Sequence, residues 1–289
     1  MNKTRLRVGG VPEHFNLPVH LAIENGDFSR NGIEVIWEDY PGGTGAMTQA
    51  LRNNEVDICI LLTEGIVADI IKGNPSKIIS GYVKTPLTWG IHTFIDNESE
   101  VGEALFTEKI AISRKGSGSH LMPIVDALMQ GKSLSEEQFI IIKDIHGALK
   151  SLDKRETGVF YWEKYTTKPF VKNGNLKRIG EFNSPWPCFM IAATNEIIER
   201  EPNVLDTFLK VLHNSCEQFM NNSSAPEMVS KRYELDYKDS EYWYHSTEWA
   251  ADSWVTDKTL VNVVFALKEA QLIPKDSSTA NLIWKRNSR

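Results

Sequence analysis

Cysteine is scarce in this chain. Only Cys59, Cys188 and Cys216 occur in 289 residues, widely spaced and odd in number. That pattern excludes a disulfide framework and a CxxC pair. Cys59 lies in the apolar run 56–62 and reads as a buried thiol. A basic surplus is missing too: 32 Lys and Arg against 38 Asp and Glu leave a net charge of −6. A general nucleic-acid surface, which needs a basic stripe, is therefore not expected. No apolar run reaches the roughly 18 residues of a membrane span, so no membrane insertion is expected. The seven histidines are scattered, with no HExxH and no pair at i, i+4, so no metal site is expected. There is no GxSxG elbow, and Ser119 next to His120 is poor geometry for a triad. Neither a catalytic residue nor a cofactor is expected. Residues 1–8 run straight into a strand, without the apolar stretch of about 7–15 residues or the small-residue cleavage site of a secretion signal. The expected location is cytoplasmic as the chain stands, or periplasmic or lipid-anchored if a signal was removed.

What is present is an ordinary globular composition, 41% hydrophobic and 24% charged. The length suits one large domain or two of roughly 100–200 residues. Taken in order, residues 6–12 read as a strand closing in a Gly/Pro turn, 17–25 as a helix ended by Asn25-Gly26, and 33–37 as a strand. The turn Tyr40-Pro41-Gly42-Gly43-Thr44-Gly45 then opens a helix to about 53. Residues 56–62 and 77–83 read as apolar strands, separated by a helix over 66–72. Apolar strands alternating with helices at this spacing predict a parallel sheet covered on both faces. The pattern restarts with strands near 91–95, 109–113, 139–143, 158–163, 176–180 and 189–193, and a second turn, Gly116-Ser117-Gly118-Ser119, opens a helix over 120–130. From 196 onward the signal is helical, over 203–220, 226–233, 240–254 and 260–270. No repeat of 20–50 residues is found.

In open α/β sheets ligands bind outside the carboxyl ends of the strands. Those ends carry the candidate site residues. Gly43, Thr44 and Gly45 place N–H groups and a helix dipole where an anionic group would sit, or else serve a plain strand–helix turn. Ser117, Gly118 and Ser119 read as the equivalent turn of a second lobe, or as a simple N-cap, with Arg114 and Lys115 as added positive charge or a solvated pair. Glu13, His14 and Phe15 follow the first strand; the polar pair would orient a ligand and Phe15 would stack on it. Thr63 and Glu64 follow the third strand. Glu64 suits the helix dipole, and also a cationic or amine-bearing ligand, which opposes the anion reading.

A set of residues carries a family resemblance. Val8-Gly9-Gly10-Val11-Pro12, Glu24-Asn25-Gly26-Asp27-Phe28, Asn31-Gly32-Ile33-Glu34-Val35, Gly42-Gly43-Thr44-Gly45-Ala46-Met47 and Leu51-Arg52-Asn53-Asn54-Glu55-Val56-Asp57-Ile58 occur in order. Together they resemble the type II periplasmic solute-binding proteins, nearest the nitrate/sulfonate/taurine and thiamine-pyrimidine-precursor branch. The resemblance is dense over 5–85 and thinner to about 195. It implies an α/β, two-lobe periplasmic-binding-protein-like fold with a ligand cleft between lobes and a helical C-terminal region. Lobe 1 would comprise 1–88 plus 190–289 and lobe 2 would comprise 89–189. It also implies ligand contacts from Trp162 and Glu163, where relatives carry a similar pair, and from Trp186 at the return crossing. The implied function is binding of a small anionic or ring-bearing metabolite by closure of the lobes, as in ABC-transporter substrate-binding proteins. An ABC permease would be a partner if the chain is exported. The alternatives are a cytosolic enzyme on the same fold, in thiamine-precursor or menaquinone-type biosynthesis, and a metabolite sensor. The cysteine-rich motif of the thiamine-pyrimidine synthases is missing, so that activity is not carried over.

Overall fold

The computed structural model describes residues 3–97, 103–252 and 255–285. Its contacts divide the chain into two units. Met1–Thr85, Trp186–Phe265 and Lys275–Arg289 form the first; Pro86–Pro185 and Ala266–Pro274 form the second.

The first unit begins with β1 (Thr4–Gly10), a 3-10 turn (His14–Asn16), α1 (Leu17–Glu24), α2 (Asp27–Arg30), β2 (Ile33–Asp39), α3 (Gly43–Arg52), β3 (Ile58–Leu62), α4 (Thr63–Ile71) and β4 (Ser76–Val83). β2 buries Ile33 and exposes Glu34, Ile36 and Glu38, an alternation suited to an edge strand. β3, Ile-Cys-Ile-Leu-Leu, is buried through its first four residues and lies inside the sheet. In α3 the buried Met47, Ala50 and Leu51 recur at helical spacing, which turns one face inward.

The second unit runs through β5 (Thr88–Thr93), β6 (Ile110–Ile112), α5 (Gly118–Met129), β7 (Phe139–Ile141), α6 (Ile145–Asp153), β8 (Val159–Glu163), α7 (Lys164–Lys172) and β9 (Lys177–Asn183). Its core under α6 and α7 is Ala111, Ala148, Leu152, Phe160 and Leu176. The chain then returns as β10 (Phe189–Thr194), α8 (Asn195–Arg200), α9 (Pro202–Met220), α10 (Ala225–Tyr233), α11 (Tyr237–Ser246) and α12 (Asp257–Glu269). In the first unit α9 packs Phe208 on Phe28, ring centres 5.1 Å apart. Burying one such ring contributes roughly 2–3 kcal/mol.

Each unit holds a five-stranded sheet, ordered β2-β1-β3-β10-β4 and β7-β6-β8-β5-β9. The parallel run expected of the strands at 6–12, 33–37, 56–62 and 77–83 holds for β1 to β4, but β10 enters it reversed between β3 and β4, and both sheets are mixed. β1 runs parallel to β2 and β3, but β10 is antiparallel to β3 and to β4. β5 is likewise antiparallel to β8 and β9, while β6 is parallel to β7 and β8. The physical reason is connectivity. β5 and β10 are the strands that follow the two passages between units, and neither is delivered by the strand–helix–strand crossover that enforces parallel pairing.

A second expectation, one helix over 240–254, also changes. α11 ends at Ser246, and positions 253–254 lie outside the described residues. Residues 248–250 run along β4 instead: Lys84 donates its N–H to the Glu248 carbonyl (2.8 Å) and Ala250 to that of Tyr82 (2.7 Å). The free edge of β4 offers backbone partners that outweigh the local helical pattern.

Candidate functional site

In the first unit the strand ends converge on β1. A Cβ on Gly9 would come within 2.5 Å of the Tyr40 ring, and one on Gly10 within 2.5 Å of the Trp37 indole. Glycine is required at both positions because the rings of β2 and its following turn rest directly on the β1 backbone.

Of the residues that follow β1, Glu13 stays partly exposed while His14 and Phe15 are buried. The His14 and Phe15 rings stack at 4.8 Å, and Trp243 meets them edge-on at 4.3 and 5.2 Å. Phe189 lies 5.0 Å from Phe15. Burial pulls the His14 pKa down to about 3, so the ring is neutral at ordinary pH. The Phe15 carbonyl accepts from the Tyr82 hydroxyl (2.8 Å) and the Trp249 indole (3.0 Å). The stacking partners of Phe15 are thus the protein's own aromatics, which tie the C-terminal helices to β1.

Gly43, Thr44, Gly45, Thr63, Glu64 and Trp186 come together at the N-termini of α3 and α4. Gly43 has φ +66° and donates to the Tyr40 carbonyl (2.9 Å), and no side chain among the described residues caps α3. Thr44 Oγ1 accepts from the Leu62 N–H (3.2 Å), and the Thr44 methyl lies 2.3 Å from where a Cβ on Gly65 would be. The two helix starts are therefore in contact. Thr63 donates its hydroxyl to the Pro187 carbonyl (2.5 Å) and its N–H to that of Cys188 (3.0 Å). These bonds pin the returning segment to α4.

Glu64 is 3% exposed. One carboxylate oxygen accepts from the Trp186 indole N–H at 2.9 Å; the other, Oε1, has no hydrogen-bond partner among the described residues. Burial raises its pKa to about 7, opposed only by its own backbone N–H and the Trp186 indole. No cation among the described residues offsets the desolvation.

In the second unit Ser117 precedes α5. Its hydroxyl bonds the Arg114 carbonyl (2.8 Å) and the Ser119 hydroxyl (3.0 Å), and Ser119 Oγ accepts from the Ser113 N–H (2.9 Å). Gly116, at φ +76°, donates to His120 Nδ1 (3.0 Å), which leaves the ring proton on Nε2. Gly118 is the first residue of α5. Lys115 pairs with Glu136 at 2.6 Å on the surface. Arg114 is different: it is half-buried, burial lowers its pKa, and its guanidinium has no hydrogen bond or ion pair among the described residues.

Trp162 and Glu163 have structural partners. Trp162 stacks on Phe160 at 5.2 Å and packs on the core below α6 and α7. Glu163 caps α7, accepting from the N–H groups of Tyr165 (3.0 Å) and Thr166 (2.6 Å) and from the Thr166 hydroxyl (2.7 Å). Both its oxygens are occupied.

The sheet orders also show which turns correspond. β6, β7 and β8 take the places of β1, β2 and β3. The turn 113–119 follows β6 and so matches 11–16, not 42–45. The counterpart of 42–45 is the turn before α6, where Asp144 caps the helix through the Gly147 N–H at 2.8 Å. Sequence reasoning equated the two turns on glycine content, which does not encode strand order. It also missed the Trp37 and Tyr40 cover of Gly10 and Gly9, for which the adjacent glycines at a strand end were the available signal.

Comparison with known proteins bears on this arrangement. The family model described as "Ca3427-like PBP" matches residues 89–182. No curated protein matches the chain by sequence. The solved Candida albicans CA3427 gene product, described as having the generic periplasmic binding protein fold, is 25% identical, with 98% of this chain and 99% of that one covered at a TM-score of 0.87. The Xanthomonas axonopodis alkanesulfonate-binding protein SsuA, bound to MOPS, is 12% identical over 98% and 99% of the two chains, at 0.81. The Escherichia coli aliphatic sulphonate-binding protein SsuA is 12% identical over 98% and 93%, at 0.74. Two mixed five-stranded sheets with helices opening at their strand ends, together with these likenesses, give the conclusion that this chain has the two-lobe periplasmic-binding-protein fold and resembles its Ca3427-like and sulfonate-binding representatives.

Proposed function

We propose that the protein binds a small metabolite carrying an anionic group and closes its two lobes on that ligand. The observation that carries the reading is Arg114. A half-buried guanidinium with no counter-ion among the described residues is an unbalanced cost, and here it adjoins the turn that opens α5. An anion bound there would receive charge-assisted hydrogen bonds and the favourable end of a helix dipole. The fold supports the same reading, since two of the similar structures are sulfonate-binding proteins by name. The ligand contacts assigned in the first unit are Gly43, Gly45, Thr44, Glu64 and Trp186. Those assigned in the second are Arg114, Ser117, Gly118 and Ser119. If the chain is exported, an ABC permease is the partner it would serve.

The test is a thermal-shift and calorimetric screen with MOPS, short alkanesulfonates and carboxylates as first probes. A ligand at about a hundred times its Kd stabilises by roughly 2.7 kcal/mol, a readily measured rise in Tm. Arg114→Gln abolishes that rise while leaving the Tm of the free protein in place or higher. A screen in which no anion stabilises the protein, or in which Arg114→Gln leaves the gain intact, overturns the reading.

A further inference from the structure

The first unit buries a hydrogen-bond acceptor that the protein does not use. Glu64 Oε1 is enclosed and has no partner among the described residues, while Oε2 is held by the Trp186 indole at 2.9 Å. Buried polar atoms in folded proteins nearly always find a partner, and each one left without is destabilising. Scaffolding does not explain the carboxylate. Thr63 and Thr44 already supply the bonds that join α4 to the returning segment and to α3. The bond to Trp186 needs one acceptor oxygen, which a glutamine would provide without burying an ionisable group. The group is also oriented before any ligand arrives, because the indole fixes one oxygen and so the direction of the other.

We infer that Glu64 Oε1, enclosed and without a partner beside the Trp186 indole, is the acceptor for a ligand N–H donor: an ammonium, amidine or ring-amino group. This rests on the binding-protein reading above and sharpens it. The ligand carries a nitrogen donor as well as an anionic group, so amino acids, aminosulfonates and aminated heterocycles bearing an acidic substituent are favoured over simple anions. The complementarity is chemical. Once ionised, the carboxylate accepts from N–H and repels a second anion, so above the pH at which its proton leaves this oxygen selects a donor and rejects an acidic group at that position. The convergence of the α3 and α4 starts gives the site backbone dipoles that help hold the carboxylate, and the donor completes its second oxygen.

Two probe pairs that differ only in the donor test the assignment: taurine against ethanesulfonate, and 4-aminopyrimidine against pyrimidine. Affinities are measured by calorimetry or ligand-observed NMR on the full chain and on Glu64→Gln. The expected result is that the donor-bearing member of at least one pair binds about tenfold or more tighter to the parent. That advantage disappears in Glu64→Gln. The indole N–H resonance of Trp186, assigned with Trp186→Phe, reports directly on the parent protein. It shifts on addition of the donor-bearing probe and stays in place with its counterpart, so the test stands even if Glu64→Gln does not fold. If ethanesulfonate binds as tightly as taurine and Glu64→Gln changes neither, the donor assignment falls while the anion-binding reading survives. If sulfonates, carboxylates and aminopyrimidine all fail to bind, both fall.

Discussion

The substitution Glu64→Gln isolates the energetic consequence of burying one carboxyl group. In the folded protein its pKa is about 7, against 4.5 for the ordinary side chain. Between those two values the folded state keeps a proton that the unfolded state has released. The folded state then binds more protons, so stability falls as pH rises. The contribution is complete below about pH 4.5, declines through neutrality, and reaches a floor above about pH 7.5. A displacement from 4.5 to about 7, at roughly 1.4 kcal/mol per pH unit, gives a loss of about 3 kcal/mol across that window. Glutamine retains an acceptor for the Trp186 indole and has no titration. Urea unfolding followed by far-UV circular dichroism, on parent and variant at about pH 5 and about pH 8, reads the difference. The variant gains on the parent by about 3 kcal/mol from the lower to the higher pH, or about 5 °C in Tm. The absolute offset between the two proteins is set by how the amide nitrogen is accommodated, so the pH slope is the quantity that matters. A difference that stays flat across this range shows that Glu64 ionises normally in the folded protein, and the account of an uncompensated buried carboxyl is then wrong.

The remaining predictions concern packing, acid stability and a helix cap. Gly65→Ala drives a Cβ into the Thr44 methyl and destabilises by about 1–3 kcal/mol. Adding Thr44→Ser removes that methyl but keeps the hydroxyl for the Leu62 N–H, so the double variant recovers most of the loss in a denaturation cycle. Burial pulls the pKa of both His14 and His92 down to about 3. As pH falls below about 6.5 the unfolded chain takes up protons that the folded one refuses, and stability drops. His14→Gln flattens that acid limb; an unchanged limb in pH-dependent melts would place the histidine in water. Glu163→Ala removes the acceptor for the first N–H groups of α7 and costs about 1–2 kcal/mol in urea unfolding, with protection of the Tyr165 and Thr166 amides lost in hydrogen exchange.

Local chemistry was legible in the chain itself. The β-branched and aromatic run 33–37, the mostly apolar run 56–62 and the Gly-rich turn at 42–45 place a strand, a buried strand and a helix start where they are found, because side-chain and turn chemistry act over a few residues. The family resemblance and the two-lobe fold were readable from the order of those pieces. Pairings across long stretches were not. Trp186 and Glu64 stand 122 positions apart in the chain, and nothing local to either residue marks the other. The sheet orders put 113–119 in the place of 11–16, since strand order is decided by which edges the chain finds free on each passage. The same cause sets β10 antiparallel inside its sheet and draws 248–250 out of a helix onto the edge of β4. Most telling are the groups without partners among the described residues. Sequence supplies the charges of Arg114 and Glu64, but only the folded surroundings decide that one has no counter-ion and the other an unused oxygen, because satisfaction of a buried polar group depends on every element packed around it.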